Sequence, residues 1–241
     1  DAERTLWVDD STVGQTGRFT GRLLLSYTQN PLVYVYDDGR IDPVLANVAQ
    51  LDLLAGYTVG PVRIGFIAPV VLRSFGGTAD DETELGDVAL EVKGSIFRRE
   101  YARPGVAAYG RVGLPTGLAP GLSSDSFTAE LGAVADSDLG PLRLQAALGA
   151  LLVPGYGFQN VAWGPQLSLR AGAGWAITER AGIAVDFDAS APFAGGEADA
   201  AFPTELMAGG WLRVGKGGVL RAAVGSGLTS GLGSPSLRAL V

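Results

Sequence analysis

Leu142-Arg143-Leu144-Gln145-Ala146-Ala147-Leu148-Gly149-Ala150 is the stretch on which the fold turns. Its even positions are all apolar, and its odd positions carry a guanidinium, an amide, a methyl group and a bare glycine. Side chains alternate between faces of a strand with a period of two, whereas a helix repeats every 3.6 residues. The spacing therefore specifies a strand with one greasy face and one mixed face.

The same pattern continues in both directions. Leu167, Leu169, Ala171, Ala173 and Trp175 alternate with Gln166, Ser168, Arg170, Gly172 and Gly174; Ile183, Val185 and Phe187 alternate with Ala184, Asp186 and Asp188. Towards the N-terminus, Val88, Leu90 and Val92 alternate with Asp87, Ala89, Glu91 and Lys93, and Val62, Ile64 and Phe66 alternate with Arg63 and Gly65. About twelve such segments are predicted, near residues 18–28, 46–59, 62–73, 86–97, 105–115, 126–136, 141–152, 163–177, 182–191, 203–214, 218–228 and 235–241. Each is close to the roughly 9–11 residues that cross a bilayer at a tilt, and single-chain bacterial barrels have even strand counts.

The connections alternate as well. Gly60-Pro61, Ser137 to Gly140, Thr178 to Ala181 and Gly215 to Gly217 are short and rich in turn formers, and Arg98 to Pro104 is slightly longer. Between them fall longer links: Gln29 to Leu45, Ser74 to Leu85, Thr116 to Asp125, Val153 to Ala162, Pro192 to Phe202 and Thr229 to Ser234. The expected fold is all-β: a closed up-and-down antiparallel transmembrane β-barrel of about 12 strands over residues 18–241. Short turns face the periplasm and longer loops are extracellular. Residues 1–17 precede the barrel as a periplasmic or lumen segment.

Composition agrees with lipid as the solvent. Hydrophobic residues make up 47% and charged residues only 18% of the 241, against about 25% charged in soluble domains. No run reaches the roughly 18 apolar residues of a transmembrane helix, so a barrel is the membrane-spanning option left. A net charge of −7 with no basic stripe argues against nucleic acid as a partner.

The mixed face is expected to line an enclosed lumen. It holds nine bases: Arg22, Arg63, Lys93, Arg111, Arg143, Arg170, Arg213, Arg221 and Arg238. It also holds six acids: Asp52, Glu91, Glu130, Asp186, Asp188 and Glu205. An arginine turned into lipid at the midplane costs about 2–4 kcal/mol, which sets the register of each strand. Tyr57 and Trp175 near the short turns, with Tyr27, Phe127 and Trp163 near the long loops, stand where interfacial aromatic girdles belong.

These 241 residues contain no histidine and no cysteine. Histidine-dependent hydrolysis is thereby excluded, and no zinc or redox-metal site and no cofactor is expected. Asp186 and Asp188 share a face but sit among nine cations, so ion pairs are expected there rather than catalysis. The glycines of Gly172 to Gly174 and Gly215 to Gly218 lack the lysine and the helix of a phosphate loop. Acidic clusters at Asp37, Asp38 and Asp42, at Asp80, Asp81, Glu82 and Glu84, and at Glu197 and Asp199 are of a kind that can hold calcium or bridge lipopolysaccharide through divalent ions. Solvated loops without a specific ligand are expected there instead, and Asp80 to Glu84 lacks the regular spacing of a calcium loop.

Several short motifs resemble a known family. Asn30-Pro31-Leu32-Val33 follows the first strand, Leu85-Gly86-Asp87 opens the fourth, Gly113-Leu114-Pro115-Thr116-Gly117 closes the fifth, and Gly231 to Arg238 (GLGSPSLR) leads into the last. Together they resemble the N-terminal barrel of OmpA-family outer-membrane proteins of the deltaproteobacterial, myxobacterial type. The resemblance implies an outer-membrane location and a structural, anchoring or surface-complex role. It implies as partners outer-membrane lipids, lipopolysaccharide and other envelope or surface proteins. The family's wall-anchoring activity belongs to a separate domain and is not carried over to these residues. Two other functions fit the pattern less directly. One is a narrow passive pore with weak anion preference, suggested by small inward residues. The other is a soluble barrel carrying an apolar ligand, which would need its apolar faces turned inward.

Overall fold

A computed structural model describes residues 6, 8–35, 41–77, 83–100, 103–118, 123–154, 156–158, 161–192, 202–215, 217–229 and 234–241. Of these, 32–35, 41–45, 73–77, 156–158 and 161–163 are described by backbone alone. Among the described residues there are fifteen strands and no helix. Twelve of the strands close a ring. In order they are β1 (Phe19–Val35), β2 (Ile41–Val59), β3 (Val62–Gly77), β5 (Ala89–Phe97), β6 (Gly105–Gly113) and β7 (Thr128–Leu139), followed by β8 (Leu142–Leu152), β11 (Gln166–Ala176), β12 (Ala181–Pro192), β13 (Thr204–Val214), β14 (Gly218–Gly227) and β15 (Leu237–Leu240). Every neighbour is antiparallel. The ring shuts where β15 pairs with β1 through Ser26–Leu240 to Gln29–Leu237. The two-residue β4 (Glu84–Leu85) pairs with β3, and β9 (Tyr156–Phe158) with β10 (Val161–Trp163) forms a separate hairpin.

Gly60-Pro61 and Gly140-Pro141 make two-residue turns between paired strands. The glycines sit at φ +59° and +66°, the left-handed value that the first central position of a type II′ hairpin turn requires. Proline follows with its fixed negative φ, so the local sequence alone dictates a sharp reversal.

The structure departs from expectation at the longer links. β1 and β2 continue past Gln29 and Leu45, pairing as far as Val35–Ile41. Much of the expected loop is therefore a two-stranded extension of the barrel. Register shifts between Gln29 and Val33, with Asn30 at φ +51°, absorb the irregularity there. Asparagine enters that left-handed region more easily than most residues. Likewise β3 runs on to Gly77, and the expected link from Val153 to Ala162 contains β9 and β10. β7 also extends through the expected turn at Ser137 to Leu139, because Asp136 and Asp138 find inward partners.

The two faces separate as the alternation requires. In β8, Arg143, Gln145 and Ala147 are buried, while Leu144 and Leu148 are exposed on the outer wall. Leu23, Leu53, Leu90, Leu131, Leu169, Val185, Leu206 and Val224 extend this apolar exterior around the ring. Lys93, Glu91, Glu130 and Asp186 are buried inside it. Two buried apolar clusters lie within the lumen, one formed by Val8, Ala107, Val134 and Ala147, the other by Leu6, Ala184, Met207, Ala223 and Leu240.

A plugged lumen as the candidate functional site

Twelve strands enclose more room than the eight whose side chains just fill a barrel. An extended N-terminal segment occupies the surplus in the short-turn half, and a ladder of ion pairs runs around the inner wall.

The segment begins where β1 does and runs back into the barrel. Gly17 donates its N–H to Thr58 O at 2.8 Å, and the Thr58 hydroxyl donates to Val13 O at 2.5 Å, beside the turn at Gly60. Asp10 then turns the chain locally, accepting from the Thr12 N–H at 3.0 Å and the Thr12 hydroxyl at 2.5 Å. That is the short-range bond through which aspartate stabilises turns. Beyond the turn, wall side chains hold the backbone. Asp136 accepts from Ser11 N–H at 3.0 Å, and Lys93 Nζ donates to Asp10 O at 2.7 Å. Asp186 Oδ2 accepts from Leu6 N–H at 3.0 Å and Val8 N–H at 3.1 Å. Val8 packs with Ala107, Val134 and Ala147, and Leu6 with Ala184, Met207, Ala223 and Leu240.

Charge completes the seating. Asp9 Oδ2 meets Lys93 Nζ at 2.6 Å and Arg63 Nη2 at 3.1 Å. Asp10 lies 3.9 Å from both Arg99 and Arg143. Arg143 grips Asp138 with two nitrogens at 2.7 and 3.0 Å, and Arg99 pairs with Asp136 and, at 3.1 Å, with Asp138.

From Asp9 an alternating ladder runs along the inner wall from strand to strand. Arg63 meets Glu91 at 2.9 Å, Glu91 meets Arg111 at 2.8 Å, Arg111 meets Glu130 at 3.0 Å, Glu130 meets Arg170 at 3.2 Å, and Arg170 meets Asp188 at 3.1 Å. The Tyr109 hydroxyl donates to Glu130 at 2.9 Å. Its ring lies so close over Gly132 that a Cβ there would stand 2.5 Å from the ring carbon bearing the hydroxyl, so only glycine fits. On the opposite wall Arg238 donates to Glu205 at 2.8 Å, and Gln50 donates to Asp52 at 2.7 Å. Trp211 is buried there against Gly182, where a Cβ would fall 2.5 Å from the indole.

Twelve of the fifteen expected lumen charges make these contacts. Eleven make charge pairs or side-chain bonds, and Asp186 holds the plug's backbone. Arg213 has its guanidinium carbon 5.8 Å from the Trp211 ring centroid. Arg221 is paired in register with Trp211, and the charge of Arg22 reaches Asp9. Among the aromatics, Tyr57, Phe127 and Trp175 are exposed on the outer wall, with Phe19 stacked at a tilt on Tyr57, 4.6 Å between centroids. Tyr27 is half-buried and donates to Asn47 Oδ1 at 2.6 Å. The Trp163 side chain lies outside the described residues, as do Asp37, Asp38, Asp80, Asp81, Glu82, Glu197 and Asp199; Asp42 is described by backbone alone.

Sequence reasoning missed the plug residues Leu6, Val8, Asp9, Asp10 and Ser11, together with Tyr109, Arg99, Asp136 and Asp138. One signal was present. Nine bases against six acids leave a lumen short of carboxylates, and Asp9-Asp10 lies in the short segment ahead of the first strand.

Burial acts to raise the Asp9 carboxyl, but Lys93 first and then Arg63 outweigh it and hold the group down at about 2, from an ordinary 3.8. A carboxylate depressed by folding contributes stability that is complete above 3.8 and disappears as pH falls through about 2. The plug is therefore expected to stay seated at pH 4 and to loosen only near or below pH 2. Pepsin digestion of the folded protein checks this. Residues 8–13 should resist cleavage at pH 4 and become susceptible at the lower limit. Equal cleavage at both values would show that Asp9 does not anchor the segment.

No family model matches the chain, and no curated protein matches it. Among solved structures, CdiB from Acinetobacter baumannii is similar to it at 9% identity and a TM-score of 0.37, over 92% of this chain and 58% of that one. The chain thus spans little more than half the length of that relative, and the likeness does not extend beyond general form.

Proposed function

We propose that the barrel sits in a bacterial outer membrane as a closed structural or anchoring component of the OmpA-like kind. In this reading it is not an enzyme. Its partners are outer-membrane lipids and lipopolysaccharide around the wall, and envelope or surface proteins at its two ends. The observation that carries the proposal is the inversion of the molecule: ionised groups pair inside while leucine, isoleucine and valine cover the outside. Soluble monomers rarely expose contiguous apolar patches beyond a few hundred Å². The height supports the same reading. From Leu142 to Leu152 is ten steps of about 3.4 Å, which a tilt of about 40° projects to about 26 Å along the axis, matching an apolar band of about 25 Å. An apolar ligand has no place in a lumen lined by these charges, so the soluble-carrier reading finds no support.

Closure follows from the plug, seated against the ion-paired wall. The full chain is expected to require detergent for extraction and to remain silent in planar bilayers over many insertions. Steady ohmic steps from the wild type would replace this reading with the narrow pore, and solubility without detergent would end the membrane assignment.

A further inference from the structure

The plug is held differently from everything else in the barrel. A backbone–backbone bond, Gly17 N–H to Thr58 O, fixes the segment only at its junction with β1. Each of the twelve ring strands, by contrast, is paired on both sides without any help from the segment. The wall grips the segment through side chains that address its backbone. Asp186 and Asp136 accept N–H groups, Lys93 and Thr58 donate to carbonyls, and two apolar niches take Leu6 and Val8. Lys93 and Arg63 read the carboxylate of Asp9. These are the elements of a peptide-binding site: backbone recognition, two apolar subsites, and cations for an acidic side chain.

We propose that the short-turn half of the lumen is a binding site for an extended acidic peptide, occupied in cis by Leu6 and residues 8–13, and that the occupant leaves and returns so that the barrel is a gated passage. The proposal rests on the membrane reading above. Departure leaves the ring's hydrogen bonds intact. It exposes Lys93 to water, where an ammonium is well hydrated, so the vacated state carries no orphaned buried charge at that position. It also removes the carboxylates of Asp9 and Asp10 from beside Arg63, Lys93, Arg99 and Arg143. The open passage then favours anions.

The test uses the full chain in planar bilayers. The protein has no cysteine of its own, so Val8→Cys with Ala147→Cys, two members of one buried cluster, gives a lock that a reductant releases. Asp186→Ala removes the acceptor shared by two N–H groups and is expected to raise the open fraction roughly tenfold or more. The oxidised pair should be silent at every voltage. The reduced pair and Asp186→Ala should open in discrete steps with a reversal potential on the anion side. A synthetic peptide of residues 6–16 (LWVDDSTVGQT), added on the side of the short turns, should then close the openings in a saturable way.

Folded Asp186→Ala protein as silent as the wild type, or a reduced pair no different from the oxidised one, would overturn the gate. Openings indifferent to the peptide would overturn the binding site. Steady conduction by the oxidised pair would instead sink the closed-barrel reading, so the two failures are distinguishable.

Discussion

Glu130→Ala is expected to destabilise the barrel by about 3 kcal/mol, measured as urea-induced unfolding from lipid vesicles. Glu130 is 6% exposed and is the node of the ladder, accepting from Arg111, Arg170 and Tyr109 at 3.0, 3.2 and 2.9 Å. Removing one partner of a buried ion pair costs about 3–5 kcal/mol because the other charge is left uncompensated. Here Arg111 keeps Glu91 and Arg170 keeps Asp188, so each guanidinium retains one carboxylate and the lower end of that range applies. The Tyr109 hydroxyl loses its acceptor in the same step. Leu131→Ala is the control on the same strand. Its side chain points the other way, 60% exposed, and its loss leaves the lumen untouched. A Glu130→Ala change below about 0.5 kcal/mol, the level of an ordinary surface substitution, would mean that the ladder is not formed in the folded protein.

The contrast between ring and plug shows what a sequence can disclose. The ring is legible because each strand repeats its pattern over many residues, and because a slip of one position would turn Arg143 or Arg170 outward. The sense of each face is therefore decided by charge within a single segment. The turns are legible for a local reason too, Gly60-Pro61 being a complete instruction in two residues. The plug has neither property. Leu6 and Val8 bind Asp186, 180 and 178 positions away, and Val13 binds Thr58, 45 positions away. Nothing in Leu6 to Ser11 by itself separates a lumen occupant from a free tail. What pointed to it was a deficit elsewhere, the shortage of acids on the mixed face, which Asp9 and Asp10 partly make good. Asp136 and Asp138 were hidden by a different cause. Their neighbourhood reads as a turn, and only the ion pairs with Arg99 and Arg143 extend the strand through it.

Leu148→Arg and Ile177→Arg are expected to differ in cost although both leucine and isoleucine are 64% exposed. Leu148 lies at mid-height on the outer wall, opposite Ala133 and Leu169 in register. Ile177 lies at the short-turn end, its N–H bonded to Ala181 O at 3.0 Å. In water, equal exposure would make the two substitutions equivalent, each within about 0.5 kcal/mol of neutral. In a bilayer depth decides: about 2–4 kcal/mol at the midplane against about 0–1 kcal/mol near the interface. Urea unfolding of both variants from vesicles reads the difference directly, without any assumption about conductance or partners. Equal costs would remove lipid as the surrounding solvent. The apolar wall would then have to be covered by protein, because a ring of leucine, valine and isoleucine this continuous is not stable facing water.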